Sequence, residues 1–391
     1  MPNEDYLSIA RLVRAQGPIS RAEIARILDM SPSTVGRLVD ALIGFDLLIE
    51  RGQRPGNSAG RPSILLEFNN QICSVLTVDL RLTEAYAVIT DLSGHPLASA
   101  TRSLTIGNTR QSLDELLGLI HKLLQDASEL PPVRSIIIGA PSIVDVDTGI
   151  IEWAPSLGWN SVRLRNILED EFHLASWIEN DVNLAAIGEY WKGTGQKVKK
   201  NMVFVSVGTG IGAGIILNGS LYRGTTFAAG EVAYFLTDVG VLRDNAWLVG
   251  NLESRVGREG FIRMAQLIAQ RYPASKLSEY LSKANGPVDT REVLHLAEKG
   301  DQAALVVFNE LVDILTIVIC NIAVVLDTEM IVLGGPGDWD WQDLTLAIQN
   351  RIGSALLRPV DLQPSQLGHD AVIIGGAYTA LNLLVFNQRN N

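Results

Sequence analysis

Cysteine is scarce: only Cys73 and Cys320 occur in 391 residues, far apart and each within an apolar run. Two such residues cannot build the disulfide framework of a small secreted domain. They read as buried free thiols in a reducing compartment. Long apolar runs are also missing. The most apolar stretch, residues 314–326, is interrupted by Asn321 and is shorter than the roughly 20 residues that a bilayer requires. Glu4 and Asp5 precede any apolar run, so no secretory signal is expected. Aromatic residues make up 6% and charged residues 19%, but hydrophobic residues reach 47%, which excludes a disordered chain. The expectation is a soluble cytoplasmic protein, long enough for two or three domains.

Lysine is absent from residues 1–62, which carry eight arginines and seven acidic residues, a net of +1. The whole chain is −11, so residues 63–391 carry −12. An acidic body behind an arginine-bearing head points to a polyanion met by the head alone. Residues 6–15 place Ile9, Leu12 and Val13 on one helical face. Ser20 and Glu23 have the S-x-x-E spacing of a capping box, opening a second helix through Leu28. Asp29 and Met30 make a short turn. Ser31 followed by Pro32 then starts a third helix, which runs to Ile43 and ends at Gly44.

Two helices joined by a tight turn form a DNA-reading unit whose second helix enters the major groove. The residues offered there are Ser31, Ser33, Thr34 and Arg37, while Val35, Leu38, Val39 and Leu42 form the core stripe. Strands at 47–51 and 63–68 flank a polar loop, and Arg51, Arg54 and Arg61 make this hairpin a wing. The plainer alternative is a three-helix protein-interaction domain with solvated loop arginines.

From residue 72 the texture changes to paired strands, with turns at Ser93-Gly94 and, much later, at Asn218-Gly219. Helical patterns follow both pairs, at 112–128 and 252–270, as in an internal duplication of an α/β unit. "SIIIGAP" (135–141), "MIVLGGPG" (330–337) and "AVIIGGA" (371–377) read as further strands ending in glycine. Ligands of such folds bind at strand C-termini, here in a cleft between two lobes. In "VSVGTGIGAGIILNG" (205–219), Gly208, Gly210, Gly212 and Gly214 give the look of an anion cradle.

From "GRP" (60–62) to "AVIIGGAYTALN", the chain resembles the ROK family of repressors and sugar kinases. The matching stretches are "IGAPSIVDVDTGIIEWAPSLGW" (138–159), "IENDVNLAAIGE" (178–189), "VSVGTGIGAGIILNGSLYRG" (205–224), "AAGE" (228–231) and "NIAVVLDTEMIVLGG" (321–335). The resemblance implies a two-lobed α/β body, actin-like and hexokinase-like, behind the winged helix-turn-helix head. The head would span residues 1–70 and the body 71–391. The first lobe would hold about 71–180 plus the C-terminal helix at about 375–391, and the second about 181–374.

By the same resemblance Asp181 is the sugar-contacting carboxylate, the base of the family's kinases. Asn180, Glu231 and Glu253 join it, with Ser156 where many members have Asn. On residues alone, Asp181 fits equally well as a helix-start acid, and Trp153 and Trp159 fit as buried rings as well as sugar platforms. The family's His and three Cys, which bind a structural zinc, are replaced by Tyr234, Asp244, Ala246 and Asn251. No zinc is therefore expected, and Tyr234 either donates a hydrogen bond to the sugar or narrows its pocket. The kinases' first phosphate hairpin, D-x-G-G-T-x, here reads "DLRLTE" (79–84), with Arg81 and Leu82 in place of both glycines. Leucine obstructs the close approach that phosphate needs, so neither ATP nor kinase activity is expected.

The expected function is a sugar-responsive transcriptional regulator, a repressor binding double-stranded operator DNA as a homodimer or tetramer. A sugar or sugar phosphate would be its effector, and no membrane partner is implied. A sugar kinase with an accessory DNA-binding head, and a regulator that has lost sugar sensing, are the alternatives.

Overall fold

The computed structural model describes residues 4–54, 63–198, 200–237, 251–283, 287–336, 339–353 and 355–386. The head opens with α1 (Glu4–Gln16), which buries Ile9, Ala10, Leu12 and Val13. It continues through β1 (Ile19–Ser20), α2 (Arg21–Ile27), α3 (Pro32–Gly44), β2 (Leu48–Arg54) and β3 (Ser63–Phe68). The capping box at Ser20 and Glu23 forms in both directions. Ser31 caps α3, with Pro32 in the first turn, where a missing N–H costs nothing. The strands pair antiparallel in the order β1-β3-β2, and a register shift between Glu50 and Gln53 carries β2 beyond the expected 47–51. Arg21 bridges Asp40 and Glu50, tying α2 to both α3 and the wing.

The first lobe contains β4 (Ser74–Leu80), β5 (Glu84–Asp91), β6 (Pro96–Ser103), α4 (Thr109–Asp126), β7 (Val133–Ala140), β8 (Ile143–Asp145), β9 (Ile150–Ala154), β10 (Trp159–Val162), α5 (Leu164–Phe172) and β11 (Ala175–Asn180). Its main sheet runs β11-β7-β4-β5-β6. The second lobe starts with α6 (Asp181–Lys192), β12 (Met202–Val207), β13 (Ile211–Leu217) and β14 (Ser220–Leu221). Helices α7 (Glu253–Val256), α8 (Arg258–Arg271), α9 (Lys276–Lys283), α10 (Thr290–Glu298) and α11 (Gln302–Leu326) follow. Then come β15 (Met330–Gly334), α12 (Trp341–Ile352) and β16 (Asp361–Pro364), after which α13 (Ala371–Leu381) returns to the first sheet.

The second sheet runs β14-β13-β12-β15-β16. Each sheet joins two antiparallel pairings to two parallel ones in the same order. This is the internal duplication expected from the repeated hairpin pattern. Asn218 and Gly219 both take positive φ, as the tight turn between β13 and β14 demands.

Three expectations need correction. "AVIIGGA" is not a strand but helix α13, and the strand before it is β16. Ala371, Ile373, Gly375, Gly376 and Ala377 are all buried there, so the helix shows no polar face to betray its period. The helix expected over 252–270 breaks at Gly257 into α7 and α8. The apolar run at 314–326 belongs to α11, whose 25 residues, with an 18-residue window of mean hydropathy 2.2, are long and apolar enough to cross a bilayer by length and composition alone. The inner face of α11, including Val307, Leu311, Leu315, Val318 and Ile319, instead packs in the second lobe's core.

Helices α6 and α13 meet between the lobes. A Cβ on Gly188 would overlap the carbonyl oxygen of Ala371, and one on Gly375 would overlap that of Leu184. On its other side α6 packs against β13, where a Cβ at Gly214 would meet Ala186 and the Val182 carbonyl. Helix α13 lies on the first sheet, with Gly376 against Thr77 of β4 and Val372 against Gly139 of β7. Glu189, fully buried on α6, accepts hydrogen bonds from the backbone N–H of Thr194 (2.9 Å), Gln366 (3.1 Å) and Leu367 (2.9 Å). Gly375→Ala is expected to cost about 3 kcal/mol through overpacking, read as a lowered melting temperature by circular dichroism. Gly36→Ala, on α3 with nothing within 4 Å of its Cβ position, is expected to stabilise by about 0.5 kcal/mol.

Candidate functional site

Strand β11 delivers Asn180 to the start of α6, where its Oδ1 accepts the Asn183 N–H at 3.0 Å. Its Nδ2 donates to the Ser142 carbonyl at 3.1 Å, so much of this amide is spent holding the helix start. Asp181 is the first residue of α6, and its Oδ1 accepts the Val182 N–H at 2.9 Å. Burial, then the negative charges of Asp79 and Glu231, push the Asp181 carboxyl up to about 7, against the pull of backbone N–H groups. Burial, followed by repulsion from Glu253, also raises Glu231. Glu253 is raised by its own burial, although the Ile211 N–H opposes the shift. Asp181 thus lies within electrostatic reach of Asp79 and Glu231, and Glu231 within reach of Glu253.

The glycine loop is closed from inside. Glu253 rests its carboxylate over Gly210, where a Cβ would collide with it. Gly208 N–H donates to the Gly210 carbonyl at 2.8 Å, and Arg258 N–H donates to the Gly208 carbonyl at 3.0 Å. Gly212 and Gly214 lie in β13 under α6 and serve packing. The opposite hairpin, between β4 and β5, is also filled. Arg81 Nε donates to Asp79 at 2.7 Å and its Nη1 to Glu84 at 3.1 Å, while the guanidinium stacks 5.1 Å from the Tyr86 ring centroid. A phosphate would have to displace two carboxylates to reach this arginine.

The remaining expected residues are scattered. Ser156 lies in the turn between β9 and β10 with its buried Oγ unpartnered, so no hydrogen bond joins it to the carboxylates. Tyr234 is 51% exposed. Trp159 is fully buried and donates to Ser112 Oγ at 2.7 Å, which makes it a core ring, whereas Trp153 is exposed. Asn251 Oδ1 accepts from Thr237 N–H and Oγ1, at 2.9 and 2.8 Å. That donor set does not fit a zinc ion, and no cluster of three or more His, Cys, Asp or Glu able to hold a metal occurs among the described residues. Asp244 and Ala246 lie outside the described residues.

The tie between lobes was not among the sequence expectations. Glu179, buried at the end of β11, pairs with Arg223 beyond β14, at 2.8 Å to Nε and 2.7 Å to Nη2. Phe227 from the same second-lobe loop packs against the first lobe's core. The "YRG" inside the matching stretch was the available signal, but its partner lies 44 residues away.

In the head, Ser31 Oγ caps Thr34 N–H at 3.1 Å and lies 3.0 Å from Ser33 Oγ. Ser33 and Arg37 are exposed and Thr34 half-buried on the outer face of α3. Among the described residues nothing pairs with the Arg37 guanidinium. Arg51 instead leans on Glu67, 2.6 Å away, rather than projecting freely from the wing. Arg54 ends the described part of β2, and Arg61 lies outside the described residues.

The folded protein holds the Asp181 proton at pH values where an unfolded chain has released it, so this group's contribution to stability falls as pH rises from about 4 to about 7. Asp181→Asn should therefore melt with the wild type near pH 4 and about 2 °C or more above it at pH 8 by scanning calorimetry.

The sequence profile of the ROK family matches residues 75–382. The xylose repressor of Caldicellulosiruptor bescii is 27% identical over 364 residues, 91% of this chain and 90% of its own length. The glucokinase of Halalkalibacterium halodurans is 32% identical over 74% of this chain and 85% of its own. A solved ROK family transcriptional regulator, a homologue of the Escherichia coli MLC protein, superposes with a TM-score of 0.82 over 97% of this chain and 98% of its own, at 23% identity. The chain belongs to the ROK family.

Proposed function

We propose that the protein is a sugar-responsive DNA-binding transcriptional regulator, a repressor of carbohydrate uptake or catabolism genes, whose effector binds between the lobes. The observation that carries this reading is a winged head whose exposed Arg37 has no partner among the described residues, fused to a body that keeps the cleft carboxylates. The repressor relative from Caldicellulosiruptor bescii aligns over the head as well as the body, which favours the same reading. In it, Asp181, Glu231 and Glu253 accept hydroxyl hydrogen bonds from a sugar, and Asn180, Tyr234 and Ser156 border it. Ser31, Ser33, Thr34 and Arg37 face operator DNA, with Arg51, Arg54 and Arg61 of the wing alongside. Residues 1–70 act as the reading head and 71–391 as the sensing body, with α13 counted with the first lobe.

A homodimer suits two half-sites. The outward face of α11 offers it an apolar stripe, Ile317, Val324 and Val325, with Val325 79% exposed.

Kinase activity is the second reading, favoured by the glucokinase relative and by Asp181, whose carboxyl is poised to take a proton near neutral pH. The Arg81 plug weighs against it. A coupled assay with ATP and each sugar below is expected to show no turnover, and turnover abolished by Asp181→Asn would reverse this assignment. The main test is a band shift on DNA upstream of the protein's own gene, with D-xylose, D-glucose, N-acetylglucosamine and their phosphates. Selective binding, weakened tenfold or more by one sugar, is expected, and its absence refutes the reading. Arg37→Ala should weaken operator binding about tenfold and leave the sugar affinity untouched.

A further inference from the structure

We propose that Arg14 is a positioning residue that relays the state of the cleft to the DNA-reading head through helix α6. The inference rests on the sugar-responsive reading above. Helix α6 has Asp181 at its first position and Trp191 next to its last, so one element of 12 residues spans cleft and head. At 1.5 Å per residue it is a rod of about 18 Å that moves as a unit. Arg14 sits in the last turn of α1. Its guanidinium carbon lies 5.1 Å from the Trp191 ring centroid and 5.3 Å from that of Tyr378. The two rings are themselves 5.1 Å apart, tilted by 44°. Lys192 also reaches the Trp191 ring, at 5.0 Å.

Trp191 belongs to α6 and Tyr378 to α13, the helices that cross between the lobes. A planar cation can face both rings only while the helices keep one relative position. Closing the cleft turns one lobe on the other, which separates or re-angles the rings and loosens the grip on α1. Beside this contact, head and body share one buried apolar core, with Ile9, Leu42 and Phe68 on the head side and Val75, Leu92 and Leu381 on the body side. A cavity of about 610 Å³ opens between head and first lobe, walled by Tyr6, Leu7, Phe45, Ile72 and Leu384 among others. The cavity leaves the head room to shift on that side, and the cation between two rings is a contact whose geometry depends on both helices.

The test uses the full chain and measures operator affinity with and without D-xylose, D-glucose and N-acetylglucosamine. For Arg14→Met the ratio of the two affinities should collapse toward one, while sugar affinity in the absence of DNA stays within about threefold of wild type. Linkage makes the result checkable in reverse: operator DNA should change the sugar affinity of the wild type by the same factor, and that of Arg14→Met by none. Tyr378→Leu, made from the body side, should act alike, and Tyr378→Phe, which keeps the ring, should retain the response. A wild-type ratio in Arg14→Met, or a loss of sugar binding itself, overturns the relay and leaves the sugar-responsive reading standing. A wild type whose operator affinity none of these sugars shifts overturns both.

Discussion

Helices α6 and α13 touch backbone to backbone at Gly188 and Gly375, and any side chain at either position would meet a carbonyl oxygen. This contact sets how closely the two sheets approach, because α6 lies on the second and α13 on the first. It also fixes the cleft, because Asp181 opens α6 where β11 ends. The glycines of β13 belong to the same arrangement. Gly212 and Gly214 lower the sheet surface under Val182 and Ala186 so that α6 can seat deeply enough to reach α13. A stretch with the look of an anion cradle thus serves helix packing at two of its four glycines. At Gly210 it serves a carboxylate, that of Glu253.

The electrostatics of the cleft follow from that seating. Asp79, Asp181, Glu231 and Glu253 come from both lobes, and burial holds each above the usual carboxylate range. Such a group favours a neutral polyol, which offers hydroxyl donors to every carboxylate, over an anion. Arg81, the cation beside Asp79, is already shared between Asp79 and Glu84. An incoming phosphate would pay for separating that arginine from two carboxylates before gaining anything from it.

Much of this was legible in the chain. The capping box, the Ser-Pro helix start, the repeated hairpins and the Asn-Gly turn are local signals, and each formed where its residues lie. The strand expected over 371–377 failed because a helix buried on all sides loses its period, and a Gly pair within it looks like a strand end. The cleft carboxylates were visible through the resemblance. The Glu179–Arg223 pair and the closure of Arg81 onto Asp79 were not. Both depend on which way a side chain turns after folding, and a sequence does not record that. Arg81 stands in place of a lost glycine, but its charge is consumed internally by Asp79 and Glu84. Asn180 shows the reverse case: a residue proposed to touch ligand is also the cap on which the position of Asp181 depends.

A kinase and a regulator ask different things of the same cleft. A kinase must bring phosphate close to backbone and hold it through the transition state, whereas here the arginine of that hairpin is paired with Asp79 and Glu84. A regulator needs only a ligand that binds one lobe arrangement better than the other, since equal affinity for both shifts nothing however tight it is. The groups that set the response are then those whose surroundings change as the lobes move, such as Glu179 with Arg223, Phe227 against the first lobe, and the rings around Arg14. A coupling of about 1–3 kcal/mol between sites corresponds to a 5–150-fold change in affinity. The buried Glu179–Arg223 pair alone is of that order, because parting it leaves a desolvated carboxylate without its cation. Its place across the lobes makes parting it costly in any rearrangement of the cleft.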